Sequence, residues 1–448
     1  MRSLSLLLLS LILFTGTVAA QKPVDLYNHG VELLEKRDFD GAIDCFTQAL
    51  ERKPDYAQAL YSRGVAKRRK GDIDGAIADF THMIEMDARY FEAYFARGSA
   101  REAKGDRDRA LVDYSRAIQV NPKYAPPYYN RAVILRAKGE IDNAIADCTM
   151  SIKLAPDFAN AYVIRGLSLA DKKQIDAALA DFDKSIQLNP ANAIAYYDRG
   201  NTLQTKGNID AAVADYNKAI ELDPKSVSAY FNRGMVRKER GDADGAIADF
   251  TKVLELDPAQ VKARYSTAVL LRKKGNGDAA IANFTKVIEI EPKHADAYVN
   301  RANIRRERGE VDAAISDYLR AIEINPAHPD AYYNLGLAKL DKRDLDGSIS
   351  AFSKSIEINP KDIASYYNRG IARKRKEDLD GAIADFTAAI QIDAKLAPAY
   401  FNRGLTYLKQ GKDSEAENDF AACVKLDASL KPFLDQEVSK IKQTRTSR

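Results

Sequence analysis

Residues 193–226 read AIAYYDRGNTLQTKGNIDAAVADYNKAIELDPKS, and this stretch decides the fold. Apolar residues recur at steps of three and four in each half of it, which predicts two amphipathic helices over 193–206 and 210–222. Gly207 can adopt the left-handed conformation that ends a helix, and Asp210 is placed to cap the second helix. The stretch therefore predicts a helical hairpin.

The same pattern recurs every 34 residues, and we expect twelve such repeats over 23–430. Repeats with this period are typical of solenoids, because one hairpin cannot bury its apolar face alone and must stack on its neighbours. We number positions 1 to 34 within each repeat, starting at Pro23. Position 8 is always a small residue, which lets the two helices approach: Gly30, Gly64, Gly98, Ala132, Gly166, Gly200, Gly234, Ala268, Ala302, Gly336, Gly370 and Gly404.

The sixth repeat combines aromatic, small and proline residues at Tyr196, Gly200, Gly207, Ala212, Tyr216, Ala219 and Pro224. In this set the chain resembles the tetratricopeptide repeat family, over nearly all of 23–430. The resemblance implies an all-α, right-handed α-solenoid of tandem helical hairpins. It also implies a concave groove, lined by the first helices, in which a protein or peptide partner binds. Position 7 departs from the family pattern, because the usual leucine is arginine in nine repeats.

Both ends of the chain differ from the repeats. Residues 1–20 contain Arg2, an apolar stretch and small residues before Ala20, which predicts a signal peptide cleaved after Ala20. The mature chain would then have no membrane span and would be exported, to the periplasm of a bacterium or outside the cell. Retention of this segment as an anchor is left open. At the other end, 431–448 predicts a capping helix for the last repeat, followed by a basic tail.

Position 7 and position 23 vary together. Nine repeats carry arginine at position 7 and aspartate at position 23, and the other three carry neither. We expect structural ion pairs inside the hairpins; a row of arginines that grips anions is the alternative. The predicted pairs are Arg63 and Asp79, Arg97 and Asp113, Arg131 and Asp147, Arg165 and Asp181, Arg199 and Asp215, Arg233 and Asp249, Arg301 and Asp317, Arg369 and Asp385, and Arg403 and Asp419.

Positions 5, 6 and 12 carry aromatic, asparagine and basic residues on or beside one face of the first helix. Aromatic rings offer contact area, asparagine can pair with a backbone amide, and basic residues attract acidic groups. We therefore hypothesise an extended, mildly acidic peptide along this face, although the tyrosines could instead only pack between repeats. The predicted groove residues are Tyr61, Arg68, Tyr129, Asn130, Arg136, Tyr197, Phe231, Asn232, Lys238, Tyr265, Arg272, Asn300, Arg306, Tyr333, Asn334, Tyr367, Asn368 and Lys374.

The sequence shows no pattern that indicates an enzyme. The four histidines lie in four different repeats, and no nucleotide-binding loop, nucleophile motif or metal-ligand spacing occurs. We expect no catalytic residue, no cofactor and no metal. The net charge of +4 is nearly balanced, so we expect no nucleic-acid partner. The sequence thus predicts a non-catalytic scaffold or adaptor, with binding of an anionic polysaccharide or, less favoured, a nucleic acid as the alternative.

Overall fold

The computed structural model describes residues 22–446, which form 25 α-helices, one short 3-10 helix and no strand. The all-α prediction is therefore confirmed. The predicted signal peptide and Arg448 of the basic tail lie outside the described residues. The chain divides into two compact units, residues 1–226 and 227–448, called here the N-terminal and C-terminal halves.

The N-terminal half contains six helical hairpins. Their helices are α1 (Pro23–Glu35), α2 (Phe39–Arg52), α3 (Ala57–Lys70), α4 (Ile73–Met86), α5 (Phe91–Ala103), α6 (Arg107–Val120), α7 (Pro126–Ala137), α8 (Ile141–Leu154), α9 (Ala159–Asp171), α10 (Ile175–Leu188), α11 (Ala193–Lys206) and α12 (Ile209–Leu222).

The C-terminal half contains six more hairpins and a final helix. The hairpin helices are α13 (Val227–Glu239), α14 (Ala243–Leu256), α15 (Val261–Lys273), α16 (Gly277–Ile290), α17 (Ala295–Glu307), α18 (Val311–Ile324), α19 (Pro329–Asp341), α20 (Leu345–Ile358), α21 (Ile363–Arg375), α22 (Leu379–Ile392), α23 (Ala397–Lys409) and α24 (Asp413–Leu426). The final helix α25 (Lys431–Thr446) packs on α23 and buries Leu434.

Polar residues between the helices fix where each helix begins. Asp72, for example, is the N-cap of α4, and its side chain accepts a hydrogen bond from the backbone N–H of Gly75. Asp210 was wrongly expected to cap α12: it is the second residue of that helix, and the N-cap is Asn208. Gly207 ends α11 with φ of 86°, as predicted.

An aromatic ring at position 24 fills the space between the two helices of most hairpins. Phe80 is fully buried, and a Cβ atom on Gly64 would lie only 2.6 Å from Cε1 of its ring. Burial of one such side chain contributes roughly 1.5 to 3 kcal/mol. In this hairpin the bare backbone of Gly64 thus lets the two helices close on the ring.

Contacts between helices are local in both halves. Within each half, every hairpin helix contacts the next hairpin helix along the chain, and many first helices also contact the first helix of the next repeat, as α3 contacts α5 and α19 contacts α21. Successive first helices lie closer together than successive second helices. A stack curves toward its closer layer, so the first helices line the inner face of each half. Among residues 22–446, no helix is both long and apolar enough to cross a membrane.

Candidate functional site

The structure brings each of the nine arginines against the aspartate predicted for it. In the fifth repeat, Nε and Nη2 of Arg165 each lie 2.7 Å from one carboxylate oxygen of Asp181. This two-point geometry gives a strong charge-assisted pair. The aspartate is only 6% exposed, and its hydrogen bond raises the pKa of the Arg165 guanidinium. The pair therefore ties α9 to α10 inside the hairpin.

The same arginine also reaches the preceding repeat. Nη1 of Arg165 donates to Oγ1 of Thr149 at 3.3 Å, and the Tyr162 ring lies under the guanidinium at 5.6 Å. Sequence reasoning missed this third partner, although a polar residue recurs at position 25. Equivalent contacts join Arg63 to Thr47, Arg97 to Thr81, Arg131 to Ser115, Arg199 to Asp183, Arg301 to Thr285, Arg369 to Ser353 and Arg403 to Thr387.

These contacts leave the position 7 arginines few donors for an external ligand. A guanidinium has five N–H groups. In most repeats its Nε, Nη1 and Nη2 atoms each already donate to a protein oxygen, as in Arg165. In five repeats the aspartate also binds a second cation, as Asp113 binds Arg101 at 2.7 Å. The geometry favours the structural role over the anion-gripping row.

The position 12 cations are partly neutralised by acidic residues at position 13 of the next repeat. Arg136 pairs with Asp171 at 2.9 Å, and Arg306 pairs with Asp341 at 2.8 Å. Arg272 pairs in the same way with Glu307. Among residues 22–446, by contrast, Arg68 and Lys238 form no ion pair. The basic row is therefore a set of separate charges rather than a continuous positive stripe.

Lys374 departs further from the predicted basic row. Burial, together with the nearby positive charge of Lys409, lowers the pKa of Lys374 to about 8. Its Nζ donates to Oδ1 of Asn402 at 2.7 Å. At neutral pH this lysine is still mostly protonated, but it is half-buried and its ammonium group already contacts a protein oxygen.

The position 6 asparagines hold neighbouring repeats together. Nδ2 of Asn300 donates to the Tyr265 hydroxyl at 3.0 Å and to the Asp296 carbonyl at 2.8 Å, while its Oδ1 accepts from Arg272 at 3.1 Å. Asn402 is engaged in the same way. The expectation that these two side chains could pair with a ligand backbone is therefore wrong, because all their hydrogen-bonding groups are used internally.

The other asparagines of the row show parts of the same arrangement. Asn368 donates to the Tyr333 hydroxyl at 3.3 Å and to a carbonyl of its own helix. Asn334 donates to the Asp330 carbonyl, and Asn130 donates to the Tyr114 hydroxyl of the preceding repeat. Asn232 is half-buried on α13.

The position 5 aromatics are half-buried rather than free. Tyr61 packs on Phe80, with 5.8 Å between ring centroids, and Tyr129 packs on Phe158 at 4.8 Å. Tyr197, Phe231, Tyr265, Tyr333 and Tyr367 pack on position 24 rings in the same way. One side of each ring thus stabilises the stack, while the remaining surface faces the inner groove. Burial raises the pKa of Tyr61, Tyr129, Tyr265, Tyr333 and Tyr367.

Repeat family models match this chain over most of the helical hairpins. A model described as TPR repeat matches 166–207, 302–342 and 372–411. Models described as tetratricopeptide repeat match 27–90, 95–157, 193–226, 215–248, 261–294, 283–316, 329–362 and 397–430. The chain belongs to the tetratricopeptide repeat family. Proteins of this family typically mediate protein–protein interactions and act as scaffolds, usually without catalysis.

Several solved structures of tetratricopeptide repeat proteins are similar to this chain. YrrB, a TPR protein with an unusual peptide-binding site, is 29% identical; the match covers 41% of this chain and 95% of YrrB, with a TM-score of 0.36. MamA is 31% identical over 39% of this chain and 96% of its own, with a TM-score of 0.37. The C-terminal part of a repeat protein from Cytophaga hutchinsonii is 18% identical over 54% and 98%, with a TM-score of 0.48. No curated protein matches the chain.

One tetratricopeptide repeat carries a buried carboxylate that sequence reasoning did not single out. Asp198 occupies position 6 of the sixth repeat, where seven other repeats have asparagine. It is 9% exposed, and its carboxylate accepts no hydrogen bond from residues 22–446. Burial raises the pKa of Asp198 to about 6, and the positive charge of Arg136 opposes the rise. The sequence already marked this residue, because Asp198 is the one acidic residue among the twelve at position 6.

Among the described residues, no group of three or more histidine, cysteine, aspartate or glutamate side chains has an arrangement that could hold a metal ion. The inner face instead offers aromatic surface, isolated charges and the Asp198 carboxylate.

Proposed function

We propose that this chain is a non-catalytic scaffold that holds an extended peptide segment of a partner protein along the inner face of its first helices. The observation that carries the proposal is the row of position 5 aromatics. Each ring is fixed on one side by packing within its hairpin or on a neighbouring residue, so its remaining surface faces the groove in one conformation. A preorganised aromatic surface binds with little further loss of side-chain entropy.

The isolated charges of the groove support a mildly acidic partner. Arg68 and Lys238 form no ion pair among the described residues, whereas Arg136, Arg272 and Arg306 are already paired. A few free cations can orient a peptide that has one or two carboxylates. They supply little to a polyanion, whose affinity depends on many simultaneous charge contacts. Binding of an anionic polysaccharide or nucleic acid therefore remains the second candidate.

The proposal is tested by affinity capture from a cell extract at low and high salt, with Tyr333→Ala/Tyr367→Ala as the variant. We expect the wild-type chain to retain a protein at both salt concentrations. The variant should retain at least about tenfold less, because it removes two rings from the groove. Competition by synthetic peptides from the captured protein then locates the bound segment.

A matched control replaces exposed apolar residues outside the groove. Val112→Ala/Leu319→Ala removes side chains that are 61% and 50% exposed on second helices. Equal losses in both variants would show general destabilisation, and circular dichroism of each variant checks the fold. Retention that disappears in high salt and ignores the tyrosine changes would contradict the peptide proposal and favour the polyanion.

We further propose that the chain is exported, with cleavage after Ala20. The support is the sequence of the first twenty residues, in which an apolar stretch follows Arg2 and ends in small residues. Mass spectrometry of the chain recovered from the periplasm or medium should give a mature species that begins at Gln21. An intact N-terminus on a chain that stays with the cytoplasmic fraction would refute export.

A further inference from the structure

Two cavities on the inner face share one construction. Each lies between the position 5 aromatics of consecutive repeats, and in each the second repeat has serine at position 6. The larger cavity, about 690 Å³, is in the C-terminal half. Its lining includes Phe231, Met235, Lys262, Tyr265, Ser266 and His294. The smaller one, about 360 Å³, surrounds Ser62 in the N-terminal half.

The size of the side chain at position 6 explains why a cavity opens. One repeat further along, Asn300 extends to the Tyr265 hydroxyl and so occupies the space between the two first helices. Ser266 is too short to make this bridge. The residue it would have to reach is Phe231, which has no hydroxyl to accept a hydrogen bond. The space between the Phe231 and Tyr265 rings is therefore left unfilled.

The walls of the larger cavity are apolar and partly adaptable. The His294 ring stacks on Tyr265, with 4.9 Å between centroids and 24° between planes, so two of the rings are fixed. Met235 supplies a flexible, polarizable wall that can adjust to different side chains. Ile290 is 42% exposed at the edge. The volume lies in the range of small ligand sites, so one large side chain and its adjoining backbone can enter.

The charges around the cavity favour a carboxylate beside that side chain. Lys262 lines the cavity, and Lys238 lies one helical turn beyond Met235; neither forms an ion pair among residues 22–446. Glu291 also lines the cavity, from the turn that follows α16. The two lysines therefore lie on first helices, and Glu291 lies in the turn.

The Ser62 cavity differs in the charged side chains of its lining. Its lining includes Tyr27, Tyr61 and Glu92 and contains no lysine or arginine. The two cavities thus share their shape-determining serine but differ in the charge that a ligand would meet. This difference makes the Ser62 cavity a built-in comparison.

We propose that the Ser266 cavity is an anchor site for one large apolar side chain, such as leucine, methionine or phenylalanine, whose neighbour in the peptide is acidic. This inference rests on the proposed function, because it names the peptide chemistry that the inner face selects. The carboxylate lies toward Lys262 and Lys238, and the apolar side chain lies between Phe231 and Tyr265.

The test is selection of a random-peptide library displayed on phage against the purified chain. Synthetic versions of the enriched peptides are then measured by fluorescence anisotropy. We expect the enriched peptides to share a large apolar residue next to aspartate or glutamate. Ser266→Asn should weaken their binding by about tenfold or more, because it fills the cavity with the side chain that seven other repeats carry at this position.

Three further variants make the result specific. Met235→Glu should also abolish peptide binding, although it leaves position 6 unchanged. Lys262→Glu should lower the affinity most for the peptides that have the most negative charge. Ser62→Asn, the matched control, should leave the affinity of these acidic peptides unchanged. Thermal melts confirm that each variant is folded.

The outcomes separate this inference from the proposed function. Enriched peptides that bind Ser266→Asn as well as wild type, but lose affinity in Tyr333→Ala/Tyr367→Ala, would overturn the anchor and leave groove binding intact. Peptides that lack an apolar residue next to an acidic one would also overturn it. A library that yields no peptide sensitive to any inner-face substitution would overturn both.

Discussion

Replacing Arg165 with threonine should lower the free energy of unfolding around the fifth repeat by about 3 kcal/mol. The substitution leaves Asp181 buried without its cation, and breaking a buried ion pair from one side costs roughly 3 to 5 kcal/mol. We place the value at the lower end because 22% of the arginine side chain is exposed. Chemical denaturation measures the total loss, and hydrogen exchange should localise it to α9 and α10.

The double variant Arg165→Thr/Asp181→Asn should recover most of this loss, to within about 1 kcal/mol of wild type. The chain already uses this solution in the eighth repeat. There Thr267 donates to the Ala263 carbonyl and Asn283 donates to the Ala279 carbonyl, so both side chains are satisfied by their own helices. A double variant as unstable as Arg165→Thr would show that the lost energy does not come from the unpaired carboxylate.

Replacing Asp198 with asparagine should stabilise the protein at neutral pH by about 2 to 3 kcal/mol. Burial raises the pKa of Asp198 from its ordinary value of 3.8 to about 6, and one pKa unit corresponds to about 1.4 kcal/mol. The amide introduced by Asp198→Asn can also donate to the carbonyl of Ile194, four residues earlier, as Asn300 donates to Asp296.

The gain should depend on pH with a defined sign. Below about pH 4 the carboxyl is protonated in both the folded and the unfolded chain, so the charge carries no penalty. Between about pH 4 and pH 6 the unfolded chain loses its proton first, and the stability of wild type falls relative to the variant. Above about pH 6 the difference in the free energy of unfolding between wild type and variant is constant. Urea denaturation of both proteins from pH 4 to pH 8 measures it; a difference that does not change with pH would mean that Asp198 is not a buried charge.

The sequence predicted the fold because every level of the pattern agreed. The period of 34 residues, the small residue at position 8 and the helix-ending Gly207 each predict the same hairpin, and α11 spans the residues expected for it. The coupled variation of arginine and aspartate also indicated correctly which side chains lie together. Such agreement arises because these contacts recur inside one repeat, where a fixed sequence separation reports a fixed distance.

The groove was harder to predict because its contacts cross between repeats. Asn300 was expected to face a ligand, but its amide is held by Tyr265 from the preceding repeat and by its own helix. Arg136 and Arg306 were expected to attract acidic groups of a partner, but acidic residues of the next repeat already pair with them. The cavity at Ser266 forms because Phe231, in the preceding repeat, has no hydroxyl group that a position 6 side chain could bind. None of these arrangements follows from helical spacing within a single hairpin.

The local character of the helix contacts also has a kinetic consequence. In each half a helix contacts only helices that follow or precede it closely along the chain. Closing such short loops costs little entropy, and chains dominated by local contacts fold quickly. In a repeat array, folding can begin at any hairpin and spread to its neighbours. Each half of the chain can therefore acquire structure progressively, as its successive hairpins emerge from a ribosome, without waiting for its last residue.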